Sequence, residues 1–233
     1  MGEESLAPGK GVTRRKVALG ALERYTGSAP KDFQPYILLT NFERYVRMFC
    51  DMAGSTFCEG SAMNSAHWKA EKISMIDTGV GSPAAALCVD IISYIQPKGV
   101  LMLGLCGGLR DEMKVGDFFL PVAAIRDEGT SEHYMPSRVP SLSSFQIQRR
   151  VNTVLENHGL PYSTGVIHTT NYRLWEFDEA FRAMLRAERV QAIDMECATL
   201  FTAGFARKVP IGALMLISDL PLQKGGIKTR ESG

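Results

Sequence analysis

An excess of charge of either sign is missing from this chain. Its 233 residues carry a formal net charge of +1. A balanced charge argues against nucleic acid or an anionic membrane surface as the main partner. Long apolar runs are missing too, since none reaches the roughly 18 residues a bilayer span requires. The opening MGEESLAPGKGVTRRKVAL lacks the apolar core of a signal peptide, which points to the cytoplasm. Cysteines number 5, with no CxxC spacing, and read as reduced, mostly buried thiols. Histidines number 4 (His67, His133, His158, His168) and form no ligand pattern, so no metal and no other cofactor is expected.

What is present is apolar material in alternating segments, 45% of the chain, enough for one full core. The segments YILLT (36–40), ISMIDT (73–78), Val100–Leu103, Asp117–Arg126, Val166–Thr169 and Ile211–Ser218 read as strands. Between them fall helical patterns, among them Phe42–Phe49, Leu87–Ile95, Ile147–Leu155 and Phe177–Leu185. Such alternation predicts a single α/β domain with a mixed, mostly parallel central sheet flanked by helices. Residues 1–34, polar and rich in Gly, Pro and basic residues, read as a flexible arm with a short helix at Val17–Tyr25. The domain then occupies 35–233. A helix that would cover the last strand is expected and is missing from QKGGIKTRESG.

The stretch AIDMECATLFTAGFARKVPIGALMLISD (192–219) organises the rest. Its helix is apolar all round, the mark of a buried helix. Asp194 is a plausible N-cap, and Glu196 falls in the first turn; acids suit a helix start through the dipole alone, which is the bland alternative for both. The strand that follows is continuously apolar, as central strands are. Asp219 sits where it ends, at the carboxyl edge where α/β sheets bind ligands. A loop acid capping a turn is the alternative there.

Two glycine-rich segments follow strands. GVGSPA (79–84) has the GxGxxA spacing of a dinucleotide site, with Ser82 as expected N-cap and Pro83 at the first helical position. The acid that would hold a ribose hydroxyl at the end of the next strand is absent, which counts against a nicotinamide enzyme. Gly104, Gly107 and Gly108 mark a place where backbone approaches another strand or a ligand.

Taken jointly and in order, LGLCGGLRDEMKVGDFFLP (103–121), DEGTSEHYMP (127–136), AIDMECATLF (192–201) and LISDLP (216–221) resemble the nucleoside phosphorylase superfamily. TTNYRLWE (169–176) and ISDLPL (217–222) look most like the catalytic domain of AMP nucleosidases within it. The resemblance implies that Met195 and Glu196 hold the ribose and that Asp219 protonates or hydrogen-bonds the purine N7. It implies that Arg44 binds an anion, in a place where methylthioadenosine nucleosidases have a water-activating Glu. It puts Gly107, Gly108, Asn171, Tyr172, Arg173 and Trp175 around the substrate, with Tyr172 and Trp175 as stacking candidates and core packing as their alternative. Arg44, Arg126, Arg138 and Arg173 are unranked candidates for a 5′-phosphate.

The resemblance also implies a homo-oligomer, as dimer, trimer or hexamer, with sites near subunit interfaces. Where phosphorylases carry an Arg and a Ser or Thr for phosphate, this chain has Met102 and Leu105, which favours water as nucleophile. The expected reaction is hydrolysis of AMP, with Glu196 ionised and Asp219 raised in pKa by burial. The alternatives are a purine or uridine nucleoside phosphorylase and a non-catalytic nucleotide-binding homologue.

Overall fold

The computed structural model describes residues 12–227. The first strand, β1 (Tyr36–Thr40), leads into α2 (Glu43–Ala53), which ends at Gly54 in the left-handed region. Two short strands, β2 (Cys58–Glu59) and β3 (Asn64–Trp68), precede β4 (Ile73–Asp77) and α3 (Ser82–Ile92). The long strands β5 (Gly99–Gly108) and β6 (Phe118–Asp127) follow, then β7 (Ser141–Leu142), α4 (Phe145–Asn157) and β8 (Tyr162–Thr170). The chain continues through α5 (Glu179–Glu188), β9 (Ala192–Asp194), α6 (Cys197–Arg207) and β10 (Ile211–Asp219).

The sheet is mixed, and parallel pairing does not account for all of it. β5 is parallel to β1 and β10, β1 to β4, β8 to β6 and β9. Antiparallel pairs join β10 to β6, β9 to β5, β3 to β2 and β4, and β7 to β6. Going from β5 to β10, β6, β8, β9 and back to β5, the strands close a ring, which removes the free edges those strands would otherwise expose. β1, β4, β3 and β2 extend the sheet from the other side of β5. Pro121, which cannot donate to a ladder, stands where the β6–β8 register shifts.

The apolar helices α3 and α6 pack on each other and on the ring. Ile37, Val89, Met102, Phe201 and Met215 fill that core; burying a side chain such as Phe201 contributes ~1.5–3 kcal/mol. Gly104 lets β5 and β10 lie close: a Cβ there would meet the Met215 and Met102 methyls at 2.8 and 3.0 Å.

Of the expected N-terminal arm, residues 1–11 lie outside the described residues. The rest is built into the domain. α1 (Arg14–Thr26) is capped by the Thr13 hydroxyl and ends at Gly27, φ 69°. Its Leu22 is fully buried in the main core, and the Tyr25 carbonyl accepts from the Met63 N–H at 2.8 Å. The polar face of α1 hid this docking, because one buried leucine gives no periodicity. The expectation of a missing closing helix falls on QKGGIKTRESG (223–233): residues 223–227 form bends and turns, not a helix, and 228–233 lie outside the described residues. The cysteines are free, and no described helix is long and apolar enough to cross a membrane.

Candidate active site

One cavity of ≈ 380 Å³ opens at the carboxyl ends of β1, β5 and β10. Glu196 and Asp219 both line it, from different elements.

Glu196 is delivered by the junction of β9 and α6. It is the residue flanking α6, with no side-chain cap bond of its own, rather than a member of the first turn. The capping work is done from β9: the Asp194 carboxylate accepts the N–H groups of Cys197 at 2.8 Å and Glu196 at 3.2 Å, and the Thr169 hydroxyl at 2.6 Å. Glu196 is thereby freed to face the cavity. Its Oε1 accepts the Gly81 N–H at 2.6 Å. Gly81 takes φ 101°, a backbone conformation that suits glycine, and it, not Ser82, flanks α3. The Ser82 hydroxyl instead donates to the Met195 carbonyl at 2.7 Å. So the GVGSPA turn does not cradle a dinucleotide here; it holds Met195 and Glu196 in place. The Asn41 side chain reaches across to the Gly79 carbonyl at 3.1 Å.

Asp219 ends β10 opposite Gly107 of β5, and the register is irregular between Ile217 and Asp219. A strict period of two would aim Asp219 with Ile217 into the core. The irregularity turns it to the cavity instead. Ser218 donates to its Oδ1 at 2.6 Å.

Glu196 differs from the ionised state the sequence suggested. It is 4% exposed, and its pKa is pushed up to about 8 by burial and then by the neighbouring Asp194 charge. Hydrogen bonds from Gly81, Met195 and the Asn41 side chain only partly offset this. Burial raises Asp194 too, but its donors from Thr169, Cys197 and Glu196 pull it back. Glu196 therefore takes the proton of the pair. Cys106 also lines the cavity; burial and the Asp194 and Asp219 charges hold its thiol well above the usual range, which rules it out as a nucleophile.

Among the other expected residues, Met195, Gly107, Tyr172, Arg173 and Trp175 line the cavity. Gly107 has to be small, since a Cβ would meet Ile193 and Pro221 at 3.1 Å. Trp175 also packs in a cluster with Leu109, Leu185 and Ile193, so it is both wall and core. Gly108, Asn171 and Arg44 are not brought to the cavity. Gly108 faces Leu220 and Ile217, and the Asn171 amide binds the Glu128 carbonyl. Arg44 is exposed and lies over the Phe42 and Tyr45 rings. Of the phosphate candidates, Arg126 is spent on carbonyls of Met135, Pro136 and Val139, and Arg138 does not reach the cavity. Leu105 lines the wall and Met102 is buried in the core.

Residues that the sequence reading passed over as site residues are Asn41, Phe42, Val80, Thr170, Glu176 and Ser218. Asn41 and Phe42 were findable, since they follow β1 at the same sheet edge that singled out Asp219.

This fold and cavity define a class. The chain matches the family model of the phosphorylase superfamily over residues 35–231 and belongs to that superfamily. Within it, the chain is similar to AMP nucleosidase of Escherichia coli K12, 30% identical over 91% of this chain and 53% of that enzyme. It thus spans about half the length of that relative. The crystal structure of an AMP nucleosidase from Bacteroides thetaiotaomicron is similar at 45% identity and TM-score 0.84, covering 91% of this chain and 90% of the other. A purine nucleoside phosphorylase from Toxoplasma gondii in complex with immucillin-H shares the fold at TM-score 0.80 and 18% identity, over 87% of this chain and 85% of that one.

Proposed function

We propose that this protein hydrolyses the N-glycosidic bond of AMP, giving adenine and ribose 5-phosphate. The observation that carries the reading is the meeting of Glu196 and Asp219 in one nucleotide-sized cavity whose wall at Leu105 is apolar. Similarity to the two AMP nucleosidases supports the choice of substrate.

Glu196 holds the ribose hydroxyls. In the free site it carries a proton; once that proton passes to solvent, the ionised carboxylate stabilises the positive charge that grows on the ribose. Asp219 donates a proton or hydrogen bond to the purine N7, and acid catalysis of this kind is worth roughly 10²–10⁴-fold. Apolar Leu105 offers a phosphate nucleophile no partner, so water bonds to the anomeric carbon as the bond to the base breaks, and the proton the water gives up replaces the one taken by the base. The protein works as a homo-oligomer in the cytoplasm.

The test is incubation with AMP, with and without inorganic phosphate, and resolution of the products. Adenine and ribose 5-phosphate at a rate independent of phosphate is the expected result. A sugar 1-phosphate formed only when phosphate is added would instead make the protein a phosphorylase. Nucleotide binding with no product would make it a non-catalytic binder.

A further inference from the structure

Behind the Asp194 and Glu196 pair stands a side chain that the mechanism does not use. Thr169 is fully buried on β8 and lies beside Asp194 in the parallel register of β8 and β9. A hydroxyl has one hydrogen to give, and here it goes to Asp194 Oδ1 at 2.6 Å. The same oxygen accepts the Ala198 N–H at 2.9 Å, one of the groups a helix start leaves open. Thr169 thus ties β8 both to β9 and to the first turn of α6. Its neighbour His168 turns to the other face of β8, where Glu188 at 2.8 Å and Asp127 at 3.3 Å hold it.

Two buried carboxyls this close do not both ionise readily, so what holds each one decides where the proton rests. Asp194 has donors on both oxygens: Thr169 on one, the Glu196 and Cys197 N–H groups on the other. The two N–H donors come with the helix start itself, whereas the Thr169 hydroxyl comes with a side chain. The other ionisable groups around the pair are Cys106 on β5, Cys197 on α6, Asp219 at the end of β10, and Glu176 with its Arg173 partner after β8. Burial holds both thiols well above their usual range, so they stay neutral. We infer that Thr169 is a positioning residue for the acid that holds the sugar: its hydroxyl fixes Asp194 as the ionised member of the pair and leaves the proton on Glu196. This rests on the reading of Glu196 as that acid, but the proton can be located without substrate.

The experiment is infrared spectroscopy of the full chain, following the band of protonated carboxyl groups as pH rises. Heavy-carbon labelling of aspartate carboxyls shifts the bands of aspartic acids alone, and Glu196→Gln identifies the band of the pair. In the wild type that band is expected to ignore the label and to fade near pH 8. Thr169→Val keeps the shape and removes the hydroxyl. The ratio of proton on Asp194 to proton on Glu196 should then rise roughly 10–100-fold, as loss of one charge-assisted hydrogen bond allows, and a label-sensitive share should appear. Thr169→Ser loses a methyl but keeps the hydroxyl, and should match the wild type. Thr169→Cys, whose thiol is a weak donor, should fall between and replaces the valine variant if that one does not fold. A wild-type band that moves with the label, no band that Glu196→Gln removes, valine and cysteine variants that ignore the label, or a serine variant that behaves as valine would overturn the inference. AMP turnover is scored separately. Where it occurs, the rise of kcat/KM with pH should flatten in Thr169→Val and survive in Thr169→Ser, and a valine variant that keeps the rise would also overturn the inference. The infrared pattern without hydrolysis leaves this assignment standing and removes the proposed reaction.

Discussion

Asp194 and Glu196 sit two residues apart with one proton between them: the Asp194 carboxylate accepts the Glu196 backbone N–H at 3.2 Å, and burial, reinforced by the Asp194 charge, keeps the Glu196 side chain protonated near neutrality. The geometry of the helix start and the proton affinity of the site are thus one arrangement. Asp194 fills the role that a cap would, so Glu196 need not.

A pH dependence of stability follows. The Glu196 carboxyl moves from an ordinary 4.5 to about 8 on folding. A raised folded value means that the folded state binds the extra proton, so the contribution is fully present below about pH 4.5 and is lost as pH rises through about 8. Glu196→Gln imitates the protonated form and does not undergo this loss. Urea unfolding at about pH 5 and about pH 9 should show the variant gaining on the wild type by a few kcal/mol at the higher pH. Parallel profiles for the two proteins would mean that Glu196 titrates normally.

Asp219 carries the base-side chemistry in this account. Asp219→Asn keeps the shape and the Ser218 contact but not the acid, so kcat for AMP should fall roughly 10²–10⁴-fold with nucleotide affinity little changed. Steady-state kinetics beside a binding titration check this. A variant with near-normal kcat would remove Asp219 from the mechanism.

Legibility in the sequence tracked how local the cause was. β1, β4, β5 and β10 are apolar runs in their own residues and could be read directly. β3 was missed because NSAHW is polar and is held as a strand by pairing with β4. β9 was missed because three residues carry no period. Closure of the ring rests on β10 meeting β6 antiparallel, across most of a hundred residues, and no local pattern encodes that. In the site, Glu196 and Asp219 stood out by position. Their proton assignment did not, because it depends on what the folded Asp194 does. Glu176 looked like any loop acid, because its burial in the cavity wall depends on long-range packing that no local pattern encodes.

The N-terminal helix should count in stability. Gly60 passes directly under the end of α1, where a Cβ would collide with the Tyr25 and Met63 carbonyl oxygens. Backbone cannot yield there cheaply, so Gly60→Ala should cost about 1–3 kcal/mol in unfolding free energy. An unchanged melting temperature would mean that α1 is not docked as described.

The most direct measurement is a structure of the protein with a non-hydrolysable analogue of AMP bound. The account predicts one ligand bridging the cavity, with its ribose hydroxyls within hydrogen-bond distance of Glu196 and the N7 edge of its base at Asp219. A ligand seated the other way round, or one that meets only one of these carboxyl groups, would contradict it.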